Sequence, residues 1–177
     1  MGAEAEKVAL GSERLIYLPY LNGERTPHLD PNCRGVFFGL SGMHRRPHLI
    51  RAVMEGVSYS LRDSIRILRE MNVEISEMMA CGGGGKSPLW RQMLADNYHC
   101  RVKTVDTQEG PALGVAILAG VGAGLFHSVP EACEALIHSD VVQDPIAENS
   151  NYYDRAYPLY QKLYADLKDS FDQLTTL

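Results

Sequence analysis

A chain of 177 residues can build one compact domain with a genuine core and little more. Its 45% hydrophobic and 22% charged residues set aside the disordered and fibrous classes. The balance of 22 acidic against 17 basic residues gives a net charge of −5, and with Arg45-Arg46 as an isolated basic pair, nucleic acid is not an expected partner.

In chain order, Met1 to Ser12 is small and polar. It is expected to fray, and Met1 to Leu10 lacks the basic start and apolar centre of a signal peptide. Leu15 to Leu21 predicts a strand with Pro19 near its end or at an edge. Asn22 to Asn32 is a long polar loop with two prolines, charges and His28, the make-up of a functional loop. Gly35 to Leu40 predicts a second strand, ended by Ser41-Gly42. From Pro47 to about Met71, Ile50, Val53, Met54, Val57, Leu61, Ile65 and Leu68 recur at helical spacing. Arg51, Glu55, Arg62, Arg66, Arg69 and Glu70 are assigned to the opposite, solvated face, and His48 to a local hydrogen bond in the first turn.

Ile75 to Cys81 is short and apolar enough for a buried strand, and Gly82, Gly83, Gly84 and Gly85 follow it directly. Four glycines in a row lose much backbone entropy on folding, so they belong where the chain turns sharply or a ligand touches the backbone. Ser87 and Pro88 then supply the cap and first residue of a helix. Strand, glycine turn and helix start together suit a phosphate or nucleotide, with a plain surface turn as the competing reading. The dinucleotide fingerprint G-x-G-x-x-G fails, because its last glycine falls on Ser87. The phosphate-loop motif is nearly met by Gly85-Lys86-Ser87 but has Ala80 in place of its first glycine, and Asp106 is only a weak candidate for its acidic metal-holding residue.

Trp90, Met93, Leu94 and Tyr98 form one stripe of a three-turn helix, and Arg101 to Val105 predicts another strand. Glu109-Gly110-Pro111 opens a helix rich in small residues, and the apolar run Pro111 to Phe126 is too short to cross a membrane and predicts a buried helix. Ser128 with Glu131 makes a capping box, and Tyr153, Tyr157, Tyr160, Leu163, Tyr164, Leu167, Phe171 and Leu174 mark a final amphipathic helix that Pro158 bends or begins. Cys33, Cys81, Cys100 and Cys133 show no C-x-x-C spacing and read as reduced thiols of a cytosolic protein. The pattern is mixed α/β, with helices on a sheet of about four strands, thin for this length and therefore part of something larger.

Three stretches together resemble the FGGY carbohydrate kinases. Gly35 to Leu40, a seven-residue spacer and His48 to Glu55 are similar to the family's second signature; Cys81 to Gln92 to its adenosine motif; Glu109 to Ala119 to its small-residue helix beside the adenine. Within the family, Leu18 to His28 with Asp30-Pro31-Asn32 resembles the xylulose kinases. The resemblance implies an actin/sugar-kinase fold of two ribonuclease-H-like domains, sugar on the first and ATP largely on the second. Residues 1–177 are then a carboxy-terminal fragment of the second domain, and its partner is the missing amino-terminal kinase domain. The implied chemistry is transfer of the γ-phosphoryl group of MgATP to a sugar hydroxyl, with the catalytic aspartate upstream and no metal ligand in this fragment. Gly82, Gly83, Gly84, Gly85 and Ser87 are the implied nucleotide-binding residues. The resemblance implies a cytoplasmic protein that acts on a sugar, needs no membrane, and has room for a homodimer. Gluconate, ribulose and glycerol kinases of the same family, or a non-catalytic nucleotide-binding domain, stay as alternatives. The family often carries alanine where Gly85 stands.

Overall fold

In the computed structural model, residues 2–104, 110–138 and 141–177 are described. The strands form two sheets rather than one. Strand β1 (Ile16–Leu18) pairs antiparallel with β2 (Val36–Phe38), Ile16 opposite Phe38. Strand β3 (Glu77–Ala80) runs parallel to β4 (Arg101–Thr104), Ala80 level with Thr104. β4 is also antiparallel to β5 (Val142–Gln143), a strand too short to read from sequence. Each predicted strand is present but shorter than its apolar run, and Val105 lies outside the described residues.

The amino-terminal segment does not fray. Helix α1 (Gly2–Ala5) and the residues after it bury Ala5, Val8 and Ser12 against helix α2 (Arg46–Glu70). A buried ion pair on α2 holds them there. Arg51 Nε donates to Glu55 Oε1 at 3.0 Å, Arg51 Nη1 donates to Val8 O at 2.7 Å, and Glu55 Oε1 accepts the Gly11 N–H at 2.9 Å. Arg51 and Glu55 are therefore core residues, not solvated ones. Burial pushes the Glu55 carboxyl up from its ordinary range, against the pull of Arg51 and the Gly11 amide.

The orientation of α2 departs further from its pattern. Its buried face carries Ala52, Glu55, Gly56, Ser58, Tyr59 and Asp63 as well as Ile65 of the predicted apolar stripe, while Leu61 and Leu68 of that stripe are 46% and 40% exposed. Sterics select this face: a β-carbon on Gly56 would lie 2.2 Å from the Tyr17 carbonyl oxygen, so only a glycine lets β1 sit so close. The helix start follows expectation, with His48 Nδ1 accepting the Arg45 N–H at 3.0 Å.

Four helices follow the single turn α3 (Gly82–Gly85): α4 (Pro88–Tyr98), α5 (Gly110–Gly122), α6 (Val129–Leu136) and α7 (Ala147–Leu174). Met93, Leu94 and Tyr98 of α4 are buried as the stripe predicts, with Trp90 half-buried. Ser128 caps α6 by accepting the Glu131 N–H at 3.3 Å, while Glu131 Oε2 takes the His127 N–H at 2.8 Å. Helix α7 begins at Ala147 and runs through Pro158, which lies on its exposed side. Buried Asp96 anchors that start, its Oδ1 accepting the Ile146 N–H at 2.7 Å and its Oδ2 the Asn149 amide at 2.8 Å.

The main core lies where β1, α2, α4 and α7 meet, built from Leu18, Tyr20, Tyr59, Met93, Tyr153, Tyr157, Tyr160, Leu163 and Phe171. A second cluster, Ile65, Leu94, Ala95, Tyr98, Cys100 and Val102, joins α2 and α4 to β4. The loop between β1 and β2 is tied to α7. Tyr164 Oη donates to Asp30 Oδ2 at 2.9 Å, Asn32 Nδ2 to Asp172 Oδ1 at 2.8 Å, and the His28 ring stacks on Tyr164 with centroids 3.5 Å apart.

Two elements predicted as buried are so only in part. In β3, Glu77 and Met79 are exposed, and among the described residues the strand pairs along one edge only, with β4. In α5, which packs on α6, Val115 and Leu118 are 67% and 63% exposed and Ile117 is buried. An apolar run predicts burial only where another element arrives to cover it, and among the described residues α6 covers one side of α5 while only Met78 and Ala80 of β3 pack on the second cluster. No described helix is long and apolar enough to cross a membrane.

Removing one partner of the α2 pair leaves a desolvated charge, so Arg51→Ala should cost about 3–5 kcal/mol of stability. A double Arg51→Met/Glu55→Met variant should cost less, because no buried charge remains. Urea denaturation of the three proteins checks both expectations.

Candidate functional site

The glycine stretch is a helical turn rather than an open loop. Cys81 is extended at φ −104°, ψ 165° and caps the turn without a side-chain hydrogen bond. Gly82 then takes φ 72°, a left-handed conformation that costs other residues energy. The four glycines have separate physical reasons. Gly82 supplies that conformation. Gly85 is buried, and a β-carbon there would lie 2.4 Å from the Ala80 carbonyl oxygen, so an alanine at this position would force the turn open. At Gly84 a β-carbon would meet Trp90 Nε1 at 3.3 Å. At Gly83 it would meet nothing within 4 Å, and the same holds for Gly82. Gly82, Gly83 and Gly84 are all exposed.

The open side of the turn is therefore bare backbone. The first amides of a helix have no acceptor within it, and Cys81 supplies none from its side chain. Ser87 sits beside them but is already engaged: its Oγ accepts the Trp90 N–H at 3.3 Å, which fixes the start of α4. Lys86 is exposed and follows the last glycine, so it lies past the turn rather than wrapped by it. The structure brings Gly82, Gly83, Gly84, Gly85 and Ser87 together at the carboxyl end of β3, the end at which open α/β sheets hold ligands.

Because Ala80 pairs with Thr104, β3 and β4 end level. Asp106 and Glu109, named above from the sequence, lie outside the described residues.

One residue escaped the sequence reading. Arg91 on α4 is 6% exposed; its Nη1 donates to Gly85 O at 2.6 Å and its Nε to Gln143 Oε1 at 2.5 Å. It ties the end of the glycine turn to β5. The available signal was its position, four residues after the cap Ser87 and three before Leu94, on the buried side of the helix.

Two clefts lie apart from the turn. One of about 500 Å³ is lined by Asn22, Gly23, Glu24, Arg25, Leu29 and Pro31 of the β1–β2 loop. The other, about 320 Å³, lies among Arg62, Arg66, Arg69, Glu70 and Tyr157, where Arg62 stacks on the tyrosine ring at 4.4 Å and pairs with Asp154 at 2.6 Å.

Residues 1–123 match the C-terminal domain of the FGGY family of carbohydrate kinases. The chain is 41% identical over 168 residues to a xylulose kinase of Staphylococcus epidermidis, an alignment covering 95% of this chain and 34% of that enzyme. The ligand-bound crystal structure of xylulose kinase from Lactobacillus acidophilus superposes with a TM-score of 0.89 at 32% identity, covering 97% of this chain and 35% of that one. The gluconate kinase from the same organism gives 0.87, also at 32% identity, with the same coverage of both chains. The chain thus spans about a third of the length of the relatives it matches, and its helices on small sheets are part of the actin-like sugar-kinase fold. By its sequence over residues 1–123 and by its fold, the chain belongs to the FGGY family of carbohydrate kinases.

Proposed function

We propose that this chain is the nucleotide-binding part of an ATP-dependent sugar kinase that converts D-xylulose to D-xylulose 5-phosphate. The observation that carries the reading is the glycine turn at the carboxyl end of β3, in a chain similar to xylulose kinases over 95% of its length. Residues 1–177 form a carboxy-terminal part of the second kinase domain. Gluconate is the second substrate reading, supported by a gluconate kinase of nearly equal structural similarity.

The exposed face of Gly82 and Gly83 has room for a phosphate or ribose against the backbone. In this reading the amides of the turn donate to the nucleotide, the turn's dipole favours its negative charge, and Ser87 holds the start of α4 in register. Mg²⁺ arrives with ATP, neutralises charge on the phosphates and favours in-line transfer. The base that takes the proton from the sugar hydroxyl belongs to the amino-terminal kinase domain. That domain is the partner this reading requires, and three surfaces support it: Leu61 and Leu68 on α2, Val115 and Leu118 on α5, and the free edge of β3. The four cysteines are free, in keeping with a cytoplasmic protein.

With MgATP and D-xylulose, the purified 177-residue chain should release no sugar-dependent ADP. Sustained sugar-dependent release would put the catalytic base inside this chain and overturn the division of labour.

Gly83 offers a cleaner test of the turn. It has space for a methyl group and no left-handed backbone, so Gly83→Ala should leave the ligand-free protein as stable or up to about 1 kcal/mol more stable. It should nevertheless remove most of the rise in melting temperature that ADP produces, because that rise measures binding to the folded state. Gly85→Ala, by contrast, should lower stability by about 1–3 kcal/mol through the Ala80 clash. A full-size ADP shift in folded Gly83→Ala, measured by scanning fluorimetry, would move the nucleotide site elsewhere.

A further inference from the structure

Arg91 presents an electrostatic imbalance beside the glycine turn. It is 6% exposed, and its two hydrogen bonds go to neutral acceptors, Gly85 O and Gln143 Oε1. Among the described residues no carboxylate pairs with it. The contrast with Arg51 is direct, since that equally buried guanidinium has Glu55 at 3.0 Å. A guanidinium taken out of water without a countercharge is costly, and the cost falls when an anion comes near.

We infer that Arg91 is a positioning residue for the nucleotide, acting through the glycine turn, and that its countercharge is the polyphosphate. This rests on the turn being the nucleotide site. Two effects follow from one placement. In a helical turn all N–H groups point one way and all C=O groups the other, so fixing the Gly85 carbonyl fixes the direction in which the free amides face. The guanidinium also sits at the buried end of a turn whose opposite side is open, where a positive field meets little screening from water. Lys86, exposed and past the turn, adds a screened charge and does not substitute for it. Arg91 reaches the ligand only through the backbone, so its effect scales with ligand charge, not with contact area.

That scaling separates this role from simple capping of the Gly85 carbonyl. Glutamine at position 91 keeps a donor for the carbonyl but loses the charge; lysine keeps the charge but loses the planar fork. Dissociation constants for ADP and adenosine are measured by titration calorimetry on the wild-type chain, Arg91→Gln and Arg91→Lys, with melting temperatures recorded for each. Arg91→Gln should bind ADP about tenfold more weakly while adenosine changes less than about twofold, and Arg91→Lys should recover most of the ADP affinity. An equal loss for both ligands would reduce Arg91 to a structural cap, and no loss for either would overturn the inference as well. Where glutamine leaves too little folded protein, Arg91→Lys decides by the same ratio: a preference for ADP kept within about threefold supports the charge, and a lost preference refutes it. Amide hydrogen exchange separates the two readings, because ADP that binds without slowing exchange at Gly82 to Gly85 refutes the turn as the site, whatever Arg91 does.

Discussion

The contact between α2 and β1 is the constraint from which the rest of the structure follows. With no side chain at Gly56, the helix comes within 2.2 Å, measured from the place of a missing β-carbon, of the Tyr17 carbonyl oxygen. That approach decides which face of α2 turns inward, and the face it selects is mixed, with Arg51, Glu55, Ser58 and Asp63 beside Ala52, Tyr59 and Ile65. Arg51, Glu55, Ser58 and Asp63 then need partners, and each finds at least one far away in sequence, though Asp63 Oδ2 is left without one among the described residues. Gly11 and Val8 satisfy the ion pair. Asn97 donates to Ser58 Oγ at 2.9 Å and Tyr98 Oη to the Ser58 carbonyl at 3.1 Å. The Tyr157 hydroxyl and the Gln161 amide both donate to Asp63 Oδ1. A buried polar network of this kind specifies one arrangement of helices, because a shifted helix would leave its members unpaired.

The same constraint explains the apolar surface. Once α2 commits this face to the interior, Leu61 and Leu68 stay outside, and α5 and the edge of β3 add Val115, Leu118 and Met79. Separate exposed apolar side chains are ordinary, but several on one short chain, together with a β3 edge unpaired among the described residues, are the marks of a surface open to a partner. A chain that spans a third of its relatives' length is where such a surface is expected.

The candidate site depends on α4, whose position the core fixes. Met93 is locked into the tyrosine cluster and Leu94 and Tyr98 into the cluster around β4, so the start of the helix has little freedom. Ser87 and Pro88 hold that start, Gly85 abuts the end of β3, and Arg91 joins the turn to β5. A turn of four glycines would by itself be among the most mobile parts of a chain. Here both of its ends are fixed and only the middle, Gly82 to Gly84, stays open, which is how a flexible residue type becomes a preorganised surface.

The sequence by itself determined the local events. Proline and serine marked the starts of α4 and α6, helical spacing marked α2 and α7, and the order of strand, glycines and helix located the turn, because each depends on a few neighbouring residues. The family resemblance rested on the same local stretches. Tertiary structure decided what those elements face. Periodicity finds an apolar stripe but not whether a partner covers all of it, so Ile65 of α2 and Ile117 of α5 are buried as expected while Leu61, Leu68, Met79, Val115 and Leu118 are not. Arg51 and Glu55 read as solvated because their partners, Val8 and Gly11, lie more than 40 residues away. The two-residue β5 carries no pattern of its own and exists because β4 offers it an edge. Arg91 is one charged residue among many in the sequence, and only the fold buries it and sets it beneath the Gly85 carbonyl.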